Sequence, residues 1–160
     1  GYLLVCPREQ GGVWLDKLRA AGARACGRPS WETVRVEAGL PVFGIDVTDE
    51  NLAQEVDRNN SAISLTKGCY LGQETVARID ALGHVNKLLR GVRFAGETPP
   101  PAGTELRRGE KVVGRVSSAV WSPNFGVVAL AFVRREAAAA GTELESASGP
   151  ATVAALPFVE

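Results

Sequence analysis

Lys67, Cys69, Gln73 and Glu74 fall within one eight-residue stretch, "KGCYLGQE", with Gly68, Tyr70 and Gly72 between them. Glycines at a helix start leave the first backbone N–H groups uncovered, and such an end attracts anions. A thiol placed there, two residues from a lysine, is expected to ionise more readily than an ordinary cysteine. Gln73 follows Cys69 by four residues and on a helix would share its face. The set suits a partly anionic ligand, or use of the sulfur as a nucleophile or metal ligand. A buried, inert Cys69 with glycines serving tight packing is the equally open alternative.

A second constellation is "RVEAGLPVFGID", Arg35 to Asp46. Arg35 and Glu37 would share a face if the segment were a strand, and Gly39 and Gly44 allow close backbone approach. Direct ligand contact fits this pattern, and so does a salt bridge that pins a loop. His84 is the single histidine, so no Cys–His or Ser–His–Asp arrangement can be built without it. A lone histidine in "GHVNK" reads as a turn residue, and the serines of "GRVSSAVWS" read as strand and turn chemistry. Walker and dinucleotide fingerprints are absent from the sequence.

The elements that must carry these residues are legible in outline. Tyr2 to Cys6 is an apolar run closed by Pro7 and predicts a strand. Val13, Leu15, Leu18 and Ala21 repeat at helical spacing and stop at Gly22. "WETVRVEA", 31–38, fits helix or strand: Val34 and Val36 alternate, while Glu32 and Ala38 favour helix. A short helix is expected near Leu52 to Val56. Tyr70 to Leu82 gives the clearest helix, with Leu71, Thr75, Ile79 and Leu82 on one side and Gly83 as its stop. From Leu88 the texture changes to short strand-like pieces separated by Pro, Gly and Asn turns, which reads as a small antiparallel barrel or sandwich. The boundary falls near residue 86.

Composition narrows the classes. Eighteen basic side chains balance eighteen acidic ones, so no charge excess invites nucleic acid or an acidic membrane. Three cysteines without a C-x-x-C pair or a histidine cluster argue against a disulfide scaffold or a zinc site. Cys6 and Cys26 read as small hydrophobes. No apolar run reaches membrane-spanning length and no targeting segment is visible, so a cytoplasmic setting is expected. The sequence holds no methionine and opens on "GYLLVCP", which reads as the C-terminal piece of a longer chain.

"KGCYLGQE" resembles the K-G-C-Y-x-G-Q-E signature of YgfZ-type folate-binding proteins, matching every fixed position from Lys67 to Glu74. "RVEAGLPVFGID" is similar to the R-x-E-x-G-x-P-x-x-G-x-D segment shared with the glycine-cleavage T-protein (aminomethyltransferase) superfamily. "GHVNK", "GRVSSAVWS", "VVALAFVRRE", "GTELE" and "ALPF" resemble later segments of those chains. The resemblance implies an α+β fold. Residues 1–86 would be the C-terminal part of an aminomethyltransferase-like folate-binding domain, and 87–160 a small antiparallel β-barrel domain.

It also implies tetrahydrofolate, or a folate derivative, as the cofactor of an accessory protein in iron–sulfur cluster assembly or repair. Partners would then be iron–sulfur client proteins or assembly factors. Cys69 would be the functional thiol, and Arg35, Glu37, Asp46, Lys67, Gly68, Tyr70, Gln73 and Glu74 the folate-site residues. The alternative is an aminomethyltransferase that transfers a one-carbon unit to tetrahydrofolate, with its catalytic aspartate outside this chain. T-proteins usually lack the cysteine of this segment, which favours the YgfZ branch. They also tend to carry an arginine facing the folate tail where Trp31 stands here.

Overall fold

The computed structural model describes residues 2–64 and 67–158. Of the helix residues named above, the side chain of Leu82 lies outside the described set. Backbone contacts divide the chain into two compact units, Gly1–Trp31 and Glu32–Glu160.

In the first unit a 3-10 turn at Arg8–Gln10 leads into helix α1, Gly11–Ala20. The strand expected at Tyr2 to Cys6 is irregular backbone, and Tyr2, Leu3, Leu4 and Val5 are exposed. A strand is made by its ladder, and among the described residues no neighbouring chain pairs with this run. Val13, Leu15 and Leu18 of α1 are likewise exposed.

Helix α2, Arg28–Glu37, resolves the ambiguity of 31–38 in favour of helix. Two residues on a helix turn through about 200°, so Val34 and Val36 part company: Val34 is 56% exposed and Val36 is fully buried. The helix ends in a Schellman motif, with Leu40 N–H donating to Arg35 C=O at 2.8 Å and Gly39 N–H to Val36 C=O at 3.0 Å. Gly39 takes φ +66°, a conformation that penalises any residue with a Cβ. The expected short helix near Leu52 is a 3-10 turn, Ala53–Val56, followed by α3, Asn59–Ala62, and α4, Gln73–Leu82.

From Lys87 the chain builds one antiparallel sheet of six strands. They are β1 Lys87–Phe94, β2 Glu105–Arg108, β3 Lys111–Ser122, β4 Gly126–Arg134, β5 Glu143–Leu144 and β6 Ala151–Ala154. Their order is β2-β3-β4-β1-β6-β5. The two outer strands meet at an Arg107–Glu145 bridge, each N–H donating to the other's C=O at 2.8 Å, so the sheet curls into a nearly closed barrel. Closure removes the unpaired edges that would template aggregation.

β4 shows why a barrel strand can read as one continuous apolar run. Val127, Ala129, Ala131 and Val133 join Val92, Leu106, Val113 and Val153 in one cluster, on one face of the strand. Val128 and Leu130 join Val36 of α2, Leu89 and Phe158 in a second cluster on the other. Burying a side chain of this size stabilises the fold by roughly 1.5–3 kcal/mol. The second cluster matters for the site, because it seats α2 against the barrel. Phe158 N–H also donates to Glu37 C=O at 2.8 Å, tying the chain's last described residues to the end of that helix.

On the barrel surface Lys111 Nζ donates to Glu136 Oε1. That hydrogen bond, then the lysine's charge, holds the Glu136 carboxyl below its usual range. A lowered carboxylate contributes at neutral pH and loses its contribution as pH falls through its folded value.

Candidate functional site

Arg35 anchors the first group of predicted residues. Its side chain is 2% exposed, and Asp46's is fully buried. Nε donates to Glu32 Oε2 at 2.6 Å, Nη1 to Asp46 Oδ2 at 2.8 Å and to Leu40 C=O at 3.3 Å, and Nη2 to Ser118 Oγ at 2.7 Å. The Schellman turn is what brings the Leu40 carbonyl within reach. Asp46 accepts two further bonds, from Val42 N–H at 3.0 Å and Ser117 Oγ at 2.5 Å. The loop from Leu40 to Val47 is thus clasped between α2 and the two serines of β3. A buried ion pair tolerates desolvation only with partners of this number and geometry.

Glu37 leaves the helix elsewhere. Its Oε1 accepts from Ser122 Oγ at 2.6 Å, and that hydroxyl in turn accepts from Asn124 N–H and Phe125 N–H, each at 3.0 Å. Arg35 and Glu37 therefore do not share a strand face as the alternation suggested; each pins α2 to a different point of β3. Replacing Ser122 with alanine should lower stability by about 2 kcal/mol, because it strips a charged acceptor and two turn amides of their partner. Urea unfolding measures this, and a loss within error of zero would contradict it.

The second group sits differently. Helix α4 starts at Gln73, with Gly72 as its cap at φ +84°, rather than at Tyr70. A residue with φ in this range breaks the helix, so Cys69 lies three residues outside the cap. The helix-face relation between Cys69 and Gln73 does not hold, and the thiol is not placed at the first uncovered N–H groups. Lys67, Gly68, Cys69 and Glu74 are exposed, and Tyr70 and Gln73 half-buried. Leu71, expected on the packed side, is fully exposed. Local order comes from Tyr70 N–H donating to Gln73 Oε1 at 3.3 Å and from Lys67 Nζ lying 4.3 Å from the Tyr70 ring centroid. Cys69, Cys6 and Cys26 are all free thiols. His84 is exposed.

The two groups use separate partners. Arg35 and Asp46 turn their polar atoms toward each other and toward β3, and Glu37 turns its carboxylate to Ser122 of β3. Lys67, Tyr70, Gln73 and Glu74 hold an ammonium, a hydroxyl, an amide and a carboxylate at or near the surface. Such a set offers donors and acceptors to a polar, partly anionic ligand. Gly68 adds backbone with open space where a Cβ would stand.

Sequence reasoning missed Ser117, Ser118 and Ser122 as partners of this core, and Gln54 and Glu55 as supports of its neighbours. Gln54 Nε2 donates to Val76 C=O of α4 at 2.9 Å, while Glu55 accepts from Leu52 N–H and Asn51 Nδ2, each at 3.2 Å. No local signal marks contacts such as Arg35–Ser118, 83 residues apart. Among the described residues no cluster of three His, Cys, Asp or Glu is placed to hold a metal ion. No helix there is long and apolar enough to cross a membrane.

Residues 87–160 match the glycine cleavage T-protein C-terminal barrel domain. The chain is 30% identical to an aminomethyltransferase of Streptomyces avermitilis over 98% of its own length, and 32% identical to one of a Nostoc species over 99%. The chain belongs to the glycine-cleavage T-protein (aminomethyltransferase-like) superfamily. It spans 45% and 43% of those two relatives, less than half of either. Its fold matches that of the glycine cleavage system aminomethyltransferase T from Bartonella henselae with a TM-score of 0.84 over 96% of this chain and 45% of that one, at 24% identity. The α+β architecture, helices followed by an antiparallel barrel, is the superfamily's.

Proposed function

We propose that this chain serves a tetrahydrofolate-dependent one-carbon transfer of the aminomethyltransferase type, supplying the barrel and the adjoining part of the folate-binding body. The observation that carries this reading is the similarity to aminomethyltransferases across nearly the whole chain, helical part and barrel alike. Bound tetrahydrofolate would supply the nitrogens that accept the one-carbon unit. Lys67, Tyr70, Gln73 and Glu74 would hold it, with Gly68 leaving room for close backbone approach. Arg35, Glu37 and Asp46 would shape the site by fixing α2 and the 40–47 loop to the barrel, since their own polar atoms are already engaged. The test is to incubate the intact protein with an aminomethyl donor and tetrahydrofolate. Methylene-tetrahydrofolate is the expected product; folate binding without turnover would overturn the enzyme reading.

A second reading, the YgfZ-like accessory protein of iron–sulfur cluster assembly or repair in the cytoplasm, is favoured by one observation. The residue that separates "KGCYLGQE" from T-proteins is Cys69, and Cys69 is a free, exposed thiol. Under this reading the intact protein with Cys69→Ala fails to restore cluster-dependent enzyme activity in a strain lacking it. Restoration at the wild-type level would remove the thiol's role.

A further inference from the structure

We propose that the cleft between the Val56–Asn59 turn and β1 binds a small organic anion, a carboxylate on an apolar body, through Arg90. The cleft has a volume of about 630 Å³, within the range of small-molecule sites. It lies apart from Lys67–Glu74, and its role does not depend on the folate reading. Val56, Leu89, Leu156 and Ala139 give it apolar walls, and Arg90 and Asp57 give it a polar one.

Arg90 is set in place before any ligand arrives. Nε donates to Ala138 C=O at 3.0 Å, and Nη1 donates to Leu89 C=O at 2.9 Å and to Asp57 Oδ2 at 2.6 Å. Its side chain is 20% exposed, and among the described residues Nη2 makes no hydrogen bond. A guanidinium held by three bonds keeps a planar fork aimed without further loss of side-chain freedom on binding.

Asp57 shows that the chain bends to make this wall. At φ 56°, ψ 39° it is the only non-glycine residue of positive φ among those described. This conformation is strained for a residue with a Cβ, and Asp is one of the few that adopt it. It ends the 3-10 turn and presents the carboxylate to an arginine 33 residues away.

Charge selects the ligand's sign. An adjoining groove shares Asp57, Asn59 and Arg90 and adds Arg135. Together the two concavities carry Arg90 and Arg135 against Asp57, on a chain whose net charge is zero. The neighbouring Asp57 carboxylate penalises a doubly charged phosphate more than a singly charged carboxylate. The apolar walls reward a ligand with a hydrocarbon body.

The test is NMR titration of the ¹⁵N-labelled intact protein with benzoate, benzamide and inorganic phosphate. Benzoate should shift the amides of Arg90, Ala139 and Leu156 saturably. Benzamide, with the same body and no charge, and phosphate, with charge and no body, should each bind about tenfold more weakly. Arg90→Met should abolish the benzoate response. Asp57→Asn keeps a residue that tolerates the left-handed turn and removes the competing charge, so benzoate should bind about threefold more tightly. Benzamide or phosphate binding as well as benzoate, or a Asp57→Asn protein that binds benzoate no better than wild type, would overturn the proposal. The Asp57→Asn arm decides the matter even where Arg90→Met fails to fold.

Discussion

Asp46→Ala is expected to destabilise the protein by roughly 3–5 kcal/mol, the range for breaking a buried pair from one side. The substitution leaves the Arg35 guanidinium buried with Glu32 as its remaining charged partner, deprives Val42 N–H of its acceptor, and leaves Ser117 Oγ only the Leu130 carbonyl at 3.2 Å. It also releases the 40–47 loop, whose Ile45, Asp46 and Val47 amides all converge on the Val42 carbonyl. Urea unfolding gives the loss directly. The paired replacement Arg35→Met with Asp46→Leu should cost clearly less than the two single changes added together, because neither charge is then stranded. A single-variant loss below about 1 kcal/mol would mean the clasp is not a desolvated ion pair at all.

Gly39→Ala should cost about 2–4 kcal/mol, for two reasons that can be separated. The first is the left-handed backbone of the Schellman turn, which charges a Cβ roughly 1–2 kcal/mol. The second is space: a Cβ there would stand 2.9 Å from Leu156 Cβ, an atom with little freedom to retreat. Overpacking of this kind adds about 1–3 kcal/mol. Gly141 has φ +85° and open space around the same position, so Gly141→Ala carries the strain alone. Equal losses at the two glycines, measured by thermal unfolding, would refute the packing half of the argument. Because the turn also delivers the Leu40 carbonyl to Arg35, the variant should loosen the Asp46 clasp as well, and its effect should fall short of additive with Asp46→Ala.

Much of the fold could be read from local pattern. The strands from Leu88 onward were visible because turn residues punctuate them and because each must supply an inward face; their pairing order was not, since β1 joins β4 and β6 rather than its sequence neighbour. The helix at α4 is legible from Thr75, Ile79 and the Gly83 stop, but its start lies at Gln73 rather than Tyr70. A glycine before a helix can lie inside the first turn or bar the way to it, and only the observed φ of Gly72 distinguishes the two. The Tyr2–Cys6 run fails as a strand for a related reason. Apolar residues set a preference, and pairing partners decide whether it is realised.

The candidate site divides along the same line. The sequence by itself named the residue types: a thiol, a lysine and an amide among glycines, and an arginine with two acids around a glycine-proline loop. It also named the superfamily. Only the tertiary structure decided that Arg35 and Asp46 are buried against each other, that Ser117 and Ser118 complete their bonding, and that Ser122 holds Glu37. The same holds for the "KGCYLGQE" stretch, whose Lys67, Gly68 and Cys69 meet solvent ahead of the helix that Gln73 begins. Side-chain chemistry is encoded residue by residue, so it can be read along the chain. Burial and partnership depend on which distant segments the hydrophobic clusters press together, and here β4 does that by burying one face in the barrel and the other under α2.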